Sequence, residues 1–243
     1  YAPKPLRDAE TVSIVNVETG YEQDIVLRNI NLKIQPGERI AIIGASGSGK
    51  TTLLNLLLGL IPTRKGEILV GDKPYNSNDA VLFAPVRQEP FLFDDTIAEN
   101  IKIGAAHSSL DDLESACRAA GLWDFICSAE RGLNTSVGPF GHKLSVGQRQ
   151  RVCLARALIS KAPILLLDEV TASVDGETEM SIIDGLREQK TNRTIIVVTH
   201  RLSTAQWADR VIFLENGTVE ADGQTELLLR ENPKIAALFG KAK

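Results

Sequence analysis

The residues most able to do chemistry lie in one run, Gly44-Ala45-Ser46-Gly47-Ser48-Gly49-Lys50-Thr51-Thr52, which meets the pattern G-x-x-x-x-G-K-[ST]. Small residues let a backbone turn tightly and approach a ligand closely. Successive N–H groups of such a turn, backed by the positive end of a following helix, hold phosphate oxygens. The Lys50 ammonium then reaches the β/γ-phosphates, and the Thr51 hydroxyl is offered to Mg²⁺. The plain alternative is a glycine-rich strand-to-helix turn. The buried-strand context argues against it and for a nucleoside triphosphate.

A second stretch carries complementary chemistry. Ile164-Leu165-Leu166-Leu167 is apolar throughout, as a central strand covered on both faces requires, and it ends in Asp168-Glu169. Two acids at such a place are costly unless they meet a cation or water. Asp168 fits a carboxylate that holds Mg²⁺ through water beside the phosphates. Glu169 is placed to orient or deprotonate an attacking water.

These residues need elements to position them. The apolar run Ile40–Ile43 reads as the strand before the loop, with a helix from about Lys50 to Leu60 behind it. Upstream, Thr11–Val17 and Ile25–Ile34 read as strands of one small sheet, interrupted at Gly20-Tyr21. Gly66–Val70 and Ala80–Ala84 are further short strands. Helical patterns run from Thr96 to Ile101, Leu110 to Ala120 and Leu122 to Ala129, and a helix opens at Leu144–Gln148. Thr178–Gln189 reads as a helix, Thr194–Val198 as a buried strand ending at Thr199-His200, and Asn216-Gly217 as a hairpin turn. Two short helices, about Thr225–Leu229 and Lys234–Phe239, close the chain.

Composition bounds the rest. At 243 residues, 43% hydrophobic and 24% charged, the chain suits an ordinary globular α/β protein with a sizeable core. A net charge of −4 gives no sign of a broad nucleic-acid-binding surface, and no nucleic-acid partner is expected. Three scattered cysteines make neither a zinc site nor a disulfide framework, which implies reduced thiols in the cytosol. No apolar run reaches the roughly 18 residues that a bilayer span needs. Tyr1 at the start and the proline-rich opening imply a linker remnant over residues 1–10, cut from a larger protein, with one domain over 11–243.

With those residues in view, the chain resembles ATP-binding cassette (ABC) proteins from about Thr11 to Phe239. Leu144-Ser145-Val146-Gly147-Gln148 looks like the family's signature motif, Gln88 like its Q-loop glutamine, Ser173–Asp175 like its D-loop and His200 like its switch histidine. Tyr21 stands where the family places an aromatic on adenine. The resemblance implies a P-loop NTPase core with a mostly parallel sheet, an N-terminal antiparallel β-subdomain and an inserted helical subdomain over about 89–160. It implies Gln88 sensing nucleotide and metal, and His200 on the γ-phosphate. It also implies a second ABC domain, most simply a second copy, whose Ser145, Gly147 and Gln148 hold that phosphate while Asp175 connects the two sites.

The stretch Glu89–Ile101 and the region after His200 resemble the exporter branch. That implies an ATPase motor fused to an upstream membrane-spanning domain and lying at the cytoplasmic face of a membrane. The other reading within the family is a soluble ATPase acting on nucleic acid or ribosomes, which the acidic balance and exporter-like Q-loop oppose. Val146 stands where glycine is commonest, Val174 where alanine or leucine is usual, and Pro139-Phe140 where exporters commonly carry Glu-Arg.

Overall fold

The computed structural model describes residues 10–170, 176–188 and 193–240. The expected linker remnant and Asp175 with the rest of its loop lie outside those residues. The chain opens with β1 (Val12–Tyr21) and β2 (Asp24–Ile34), then β3 (Arg39–Ile43), α1 (Lys50–Leu57), β4 (Lys65–Val70) and β5 (Lys73–Pro74). A four-stranded antiparallel sheet has the order β2-β1-β4-β5. Val12, Ile14, Val17, Leu27, Ile30, Leu32 and Ile34 are buried, with the period of two broken where the β1–β2 register shifts between Ile14 and Val17. Gly20-Tyr21 does not interrupt β1, contrary to the sequence expectation. The strand runs through both residues and the chain reverses at Glu22-Gln23. A Cβ at Gly20 would lie 2.0 Å from the Asp24 carbonyl oxygen, so this glycine serves a close approach between strands.

After β6 (Phe83–Val86) come α2 (Ile97–Lys102), α3 (Leu110–Ala119), α4 (Trp123–Ser128) and α5 (Val146–Ile159). These helices form the inserted helical subdomain. The chain then returns through β7 (Ile164–Asp168), α6 (Gly176–Glu188), β8 (Thr194–Val198), α7 (Leu202–Trp207), β9 (Arg210–Glu215) and β10 (Thr218–Gln224), ending in α8 (Thr225–Glu231) and α9 (Pro233–Leu238). The second sheet has the order β10-β9-β3-β8-β7-β6, parallel throughout except for β10.

Both faces of this sheet are covered. Ile40, Ile42, Ile164, Leu166, Ile196 and Val198 pack toward α1 and the first sheet. Ala41, Leu165, Leu167, Ile195, Val197 and Phe213 pack toward the helical side. Double burial explains why these strands read as unbroken apolar runs. The parallel pairing sends the carboxyl ends of β3, β8, β7 and β6 to one end of the sheet, where an open parallel sheet binds its ligands.

Candidate nucleotide site

β3 delivers the chain to Gly44, whose φ is 153° and whose absent Cβ would lie 2.2 Å from the Leu214 carbonyl oxygen. Gly49 caps α1 in the left-handed region at φ 105°, with a notional Cβ 2.6 Å from Leu27 of β2. The turn therefore needs glycine both for its conformation and for close packing. The Lys50 ammonium folds back over the turn, donating to the Gly44 and Ala45 carbonyls at 2.9 and 2.8 Å. Burial pushes its pKa down, against the opposing pull of Glu169 and Asp168. Ser46 is exposed, Gly47 has open space around it, and Ser48 is buried with a hydroxyl that has no hydrogen-bond partner. Thr52, in the first turn of α1, is buried. A turn with an orphaned hydroxyl, a helix start with no side-chain cap and a buried ammonium fits a polyphosphate.

β7 brings the acids to the same edge. Asp168 Oδ2 lies 3.5 Å from the Thr51 hydroxyl, and burial together with the Glu169 charge raises the Asp168 carboxyl above its ordinary range. Glu169 itself has a left-handed backbone, φ 52°, with its N–H donated to Val198 of β8 at 3.1 Å. That turn aims its carboxylate sideways. Oε1 stands 2.9 Å from His200 Nε2, and Oε2 accepts from Gln88 Nε2 at 3.2 Å. The Gln88 carbonyl is in turn gripped by Gln150 Nε2 of α5 at 3.3 Å. The structure thus brings Gln88, Glu169 and His200 into one hydrogen-bonded set beside Thr51 and Asp168. Tyr21, at the end of β1, is 44% exposed and its hydroxyl accepts from Asn55 of α1 at 2.9 Å.

The residues from Ser145 to Gln148 sit apart from this set. Ser145 is the N-cap of α5 in a reciprocal capping box with Gln148, and Gly147 lies in the first turn. Among the described residues, none of their hydrogen bonds reaches residues 44–52. They form a second, outward-facing patch, with Val146 46% exposed.

Three features here escaped the sequence reading. Arg156 of α5 donates to the Asn100 and Phe91 carbonyls at 2.7 and 3.0 Å, pinning the segment after Gln88. Phe140 is 74% exposed with φ 53°, and its ring centroid lies 6.1 Å from that of exposed Phe91. The Asn216-Gly217 tip braces the phosphate loop: Gly217 donates to the Ser48 carbonyl at 3.1 Å and accepts from Arg28 N–H at 2.8 Å. The turn was legible as Asn-Gly, but nothing local to it points to Ser48.

A glycine loop on an inner strand, an acid-tipped strand separated from it by β8 and this sheet order define a P-loop ATPase. Residues 27–172 match the family described as ABC transporter, and the chain belongs to that family as an ATP-binding ATPase domain. It is 41% identical over 229 residues to the ATP-dependent lipid A-core flippase of Syntrophus aciditrophicus, covering 92% of this chain and 38% of that protein. It is also 41% identical over 245 residues to the ABC-type transporter kk1G of Curvularia clavata, covering 95% of this chain and 18% of that one. Among solved structures, a bacterial Atm1-family ABC exporter with ATP bound superposes with a TM-score of 0.91 at 33% identity, over 98% of this chain and 43% of the exporter. The chain spans well under half the length of these relatives.

Proposed function

We propose that this chain is the ATP-driven motor of an exporter, working as one of two cassettes that close head-to-tail around two ATP. The single observation that carries the hydrolytic reading is Glu169, held between Gln88 and His200 and directly after Asp168. Gly44, Ser46, Gly47, Ser48, Gly49, Lys50, Thr51 and Thr52 bind the phosphates, and Tyr21 stacks on the base. Thr51, Asp168 and Gln88 would hold Mg²⁺, which supplies charge neutralisation on the β/γ-phosphate oxygens. Glu169 orients the attacking water and accepts its proton, while His200 stabilises the γ-phosphate. Ser145, Gly147 and Gln148 face outward because their phosphate belongs to the other cassette, and Asp175 helps connect the two sites. The membrane-spanning domain belongs to the same polypeptide upstream, which sets this chain at the cytoplasmic membrane face, and the mechanism uses no nucleic acid.

Glu169→Gln tests the reading, since it keeps the shape and removes the base. Turnover should fall by about a hundredfold or more, while ATP binding persists and a dimer accumulates in size-exclusion chromatography with ATP. A variant that hydrolyses at the parent rate, or stays monomeric at high concentration, overturns it.

A further inference from the structure

Glu179 stands in the first turn of α6 and is only 5% exposed. A carboxylate at that depth is costly unless donors meet its oxygens. Three donors converge on it, all from the turn that follows His200. Arg201 Nη1 donates to Oε2 at 2.6 Å, and the Ser203 and Thr204 hydroxyls both donate to Oε1 at 2.7 Å. Burial pushes the carboxyl up, but these hydrogen bonds and the Arg201 charge outweigh it and hold the group below its ordinary range. It is a charged, fully engaged carboxylate.

The same bonds bracket His200. On its N-terminal side Thr199 donates its N–H to the Ile42 carbonyl at 3.2 Å, tying the turn to the strand that feeds the phosphate loop. The Arg201 N–H closes onto the Thr199 hydroxyl at 3.0 Å. On the C-terminal side, Arg201, Ser203 and Thr204 are tied to α6 through Glu179. Between the two anchors, the His200 ring reaches Glu169 at 2.9 Å.

We propose that Glu179 is a positioning residue for ATP hydrolysis, fixing through Arg201, Ser203 and Thr204 the turn that presents His200 to Glu169. The inference rests on the roles given to His200 and Glu169 above. It also gives α6 a line to the reaction: its first residue, Gly176, directly follows Asp175. A displacement of α6 would reach His200 through one carboxylate.

Glu179→Gln is the test, because it keeps the side-chain shape and removes the charge facing Arg201. In this chain kcat should fall about tenfold, as expected for a misplaced catalytic group, with ATP affinity by equilibrium titration kept within about twofold. A buried carboxylate that merely staples α6 to α7 would lower the melting temperature and leave kcat alone. The chain has three histidines, so ring Cε1–H resonances in NMR are assignable by single substitution. That of His200 should move, and those of His107 and His142 should stay. A parent-like kcat, an ATP affinity that falls in step with kcat, or an unmoved His200 resonance overturns the proposal.

Ser203→Ala removes one donor and keeps the charge. It should show the same pattern at smaller size, and it decides the matter if Glu179→Gln does not fold. His200→Ala separates the two levels of argument. If it retains the parent rate, the role of His200 falls and this inference with it. If it loses the rate while Glu179→Gln does not, only the role of Glu179 falls.

Discussion

Asp168 and Glu169 are adjacent in the chain and differ in environment. Asp168 ends a fully buried strand, and the fold favours its protonated form. The free protein therefore loses stability as pH rises from the ordinary carboxylate value through the raised one. Asp168→Asn removes that cost. The free variant should melt at a higher temperature than the parent at pH 7, because burial and the Glu169 charge no longer act on an ionised group at this position. It should also lose the extra stabilisation that Mg²⁺ adds to bound ATP, read by thermal melting with ATP in the presence and absence of the metal. A variant that keeps that Mg²⁺-dependent gain would remove Asp168 from the metal site. The acids are legible in sequence because they abut an apolar strand. Their partners are not: Gln88 meets Glu169 across 81 positions, and only the order β8-β7-β6 makes them neighbours.

Secondary elements with strong local pattern, such as β3, β7, β8 and the helix after Ser145, stand within a residue or two of where the sequence puts them. The misreadings have local physical causes. A strand over Ala80–Ala84 is expected, but a 3-10 turn occupies Ser77–Leu82 and the strand is Phe83–Val86. The Asp79 carboxylate accepts from the Asn76 N–H at 2.9 Å and closes that turn, a side-chain competition that apolar patterning misses. Pro85 is tolerated in β6 because that strand is the sheet edge. The β9–β10 hairpin carries a prediction at this scale. A Cβ at Gly217, where φ is 79°, would lie 1.9 Å from the Val26 carbonyl oxygen. Gly217→Ala should cost about 2–4 kcal/mol in urea unfolding and weaken ATP binding by loosening the Ser48 brace. Unchanged stability would mean that the tip does not brace the loop. Thiol accessibility reports the helices independently. Burial pushes Cys117 up to about 12 and also raises Cys153, whereas Cys127 is exposed. A disulfide reagent at pH 8 should label Cys127 alone before denaturation and all three cysteines after it.

Taken whole, the molecule presents two separate patches, the phosphate loop with its acids and the capped start of α5, which the proposed mechanism reads as halves of one site. If the halves are completed by a second copy, ATPase activity per molecule should rise with protein concentration. Ser145→Arg should bind ATP yet abolish that rise, because bulk and charge would occupy the phosphate position of the opposing cassette. A parent rate independent of concentration would make each chain a self-sufficient enzyme. The brace on the phosphate loop has a consequence in time. β3 is flanked by β8 and β9, and the Ser48 carbonyl is met by Gly217, so the phosphate loop is completed by strands made well after it. At about 5–20 residues per second, the loop waits on the order of 10–30 s during synthesis for the hairpin that locks it. A nascent chain therefore carries its binding motif before the hairpin that braces it. Chains stalled before residue 217 emerge with the motif intact and its brace missing.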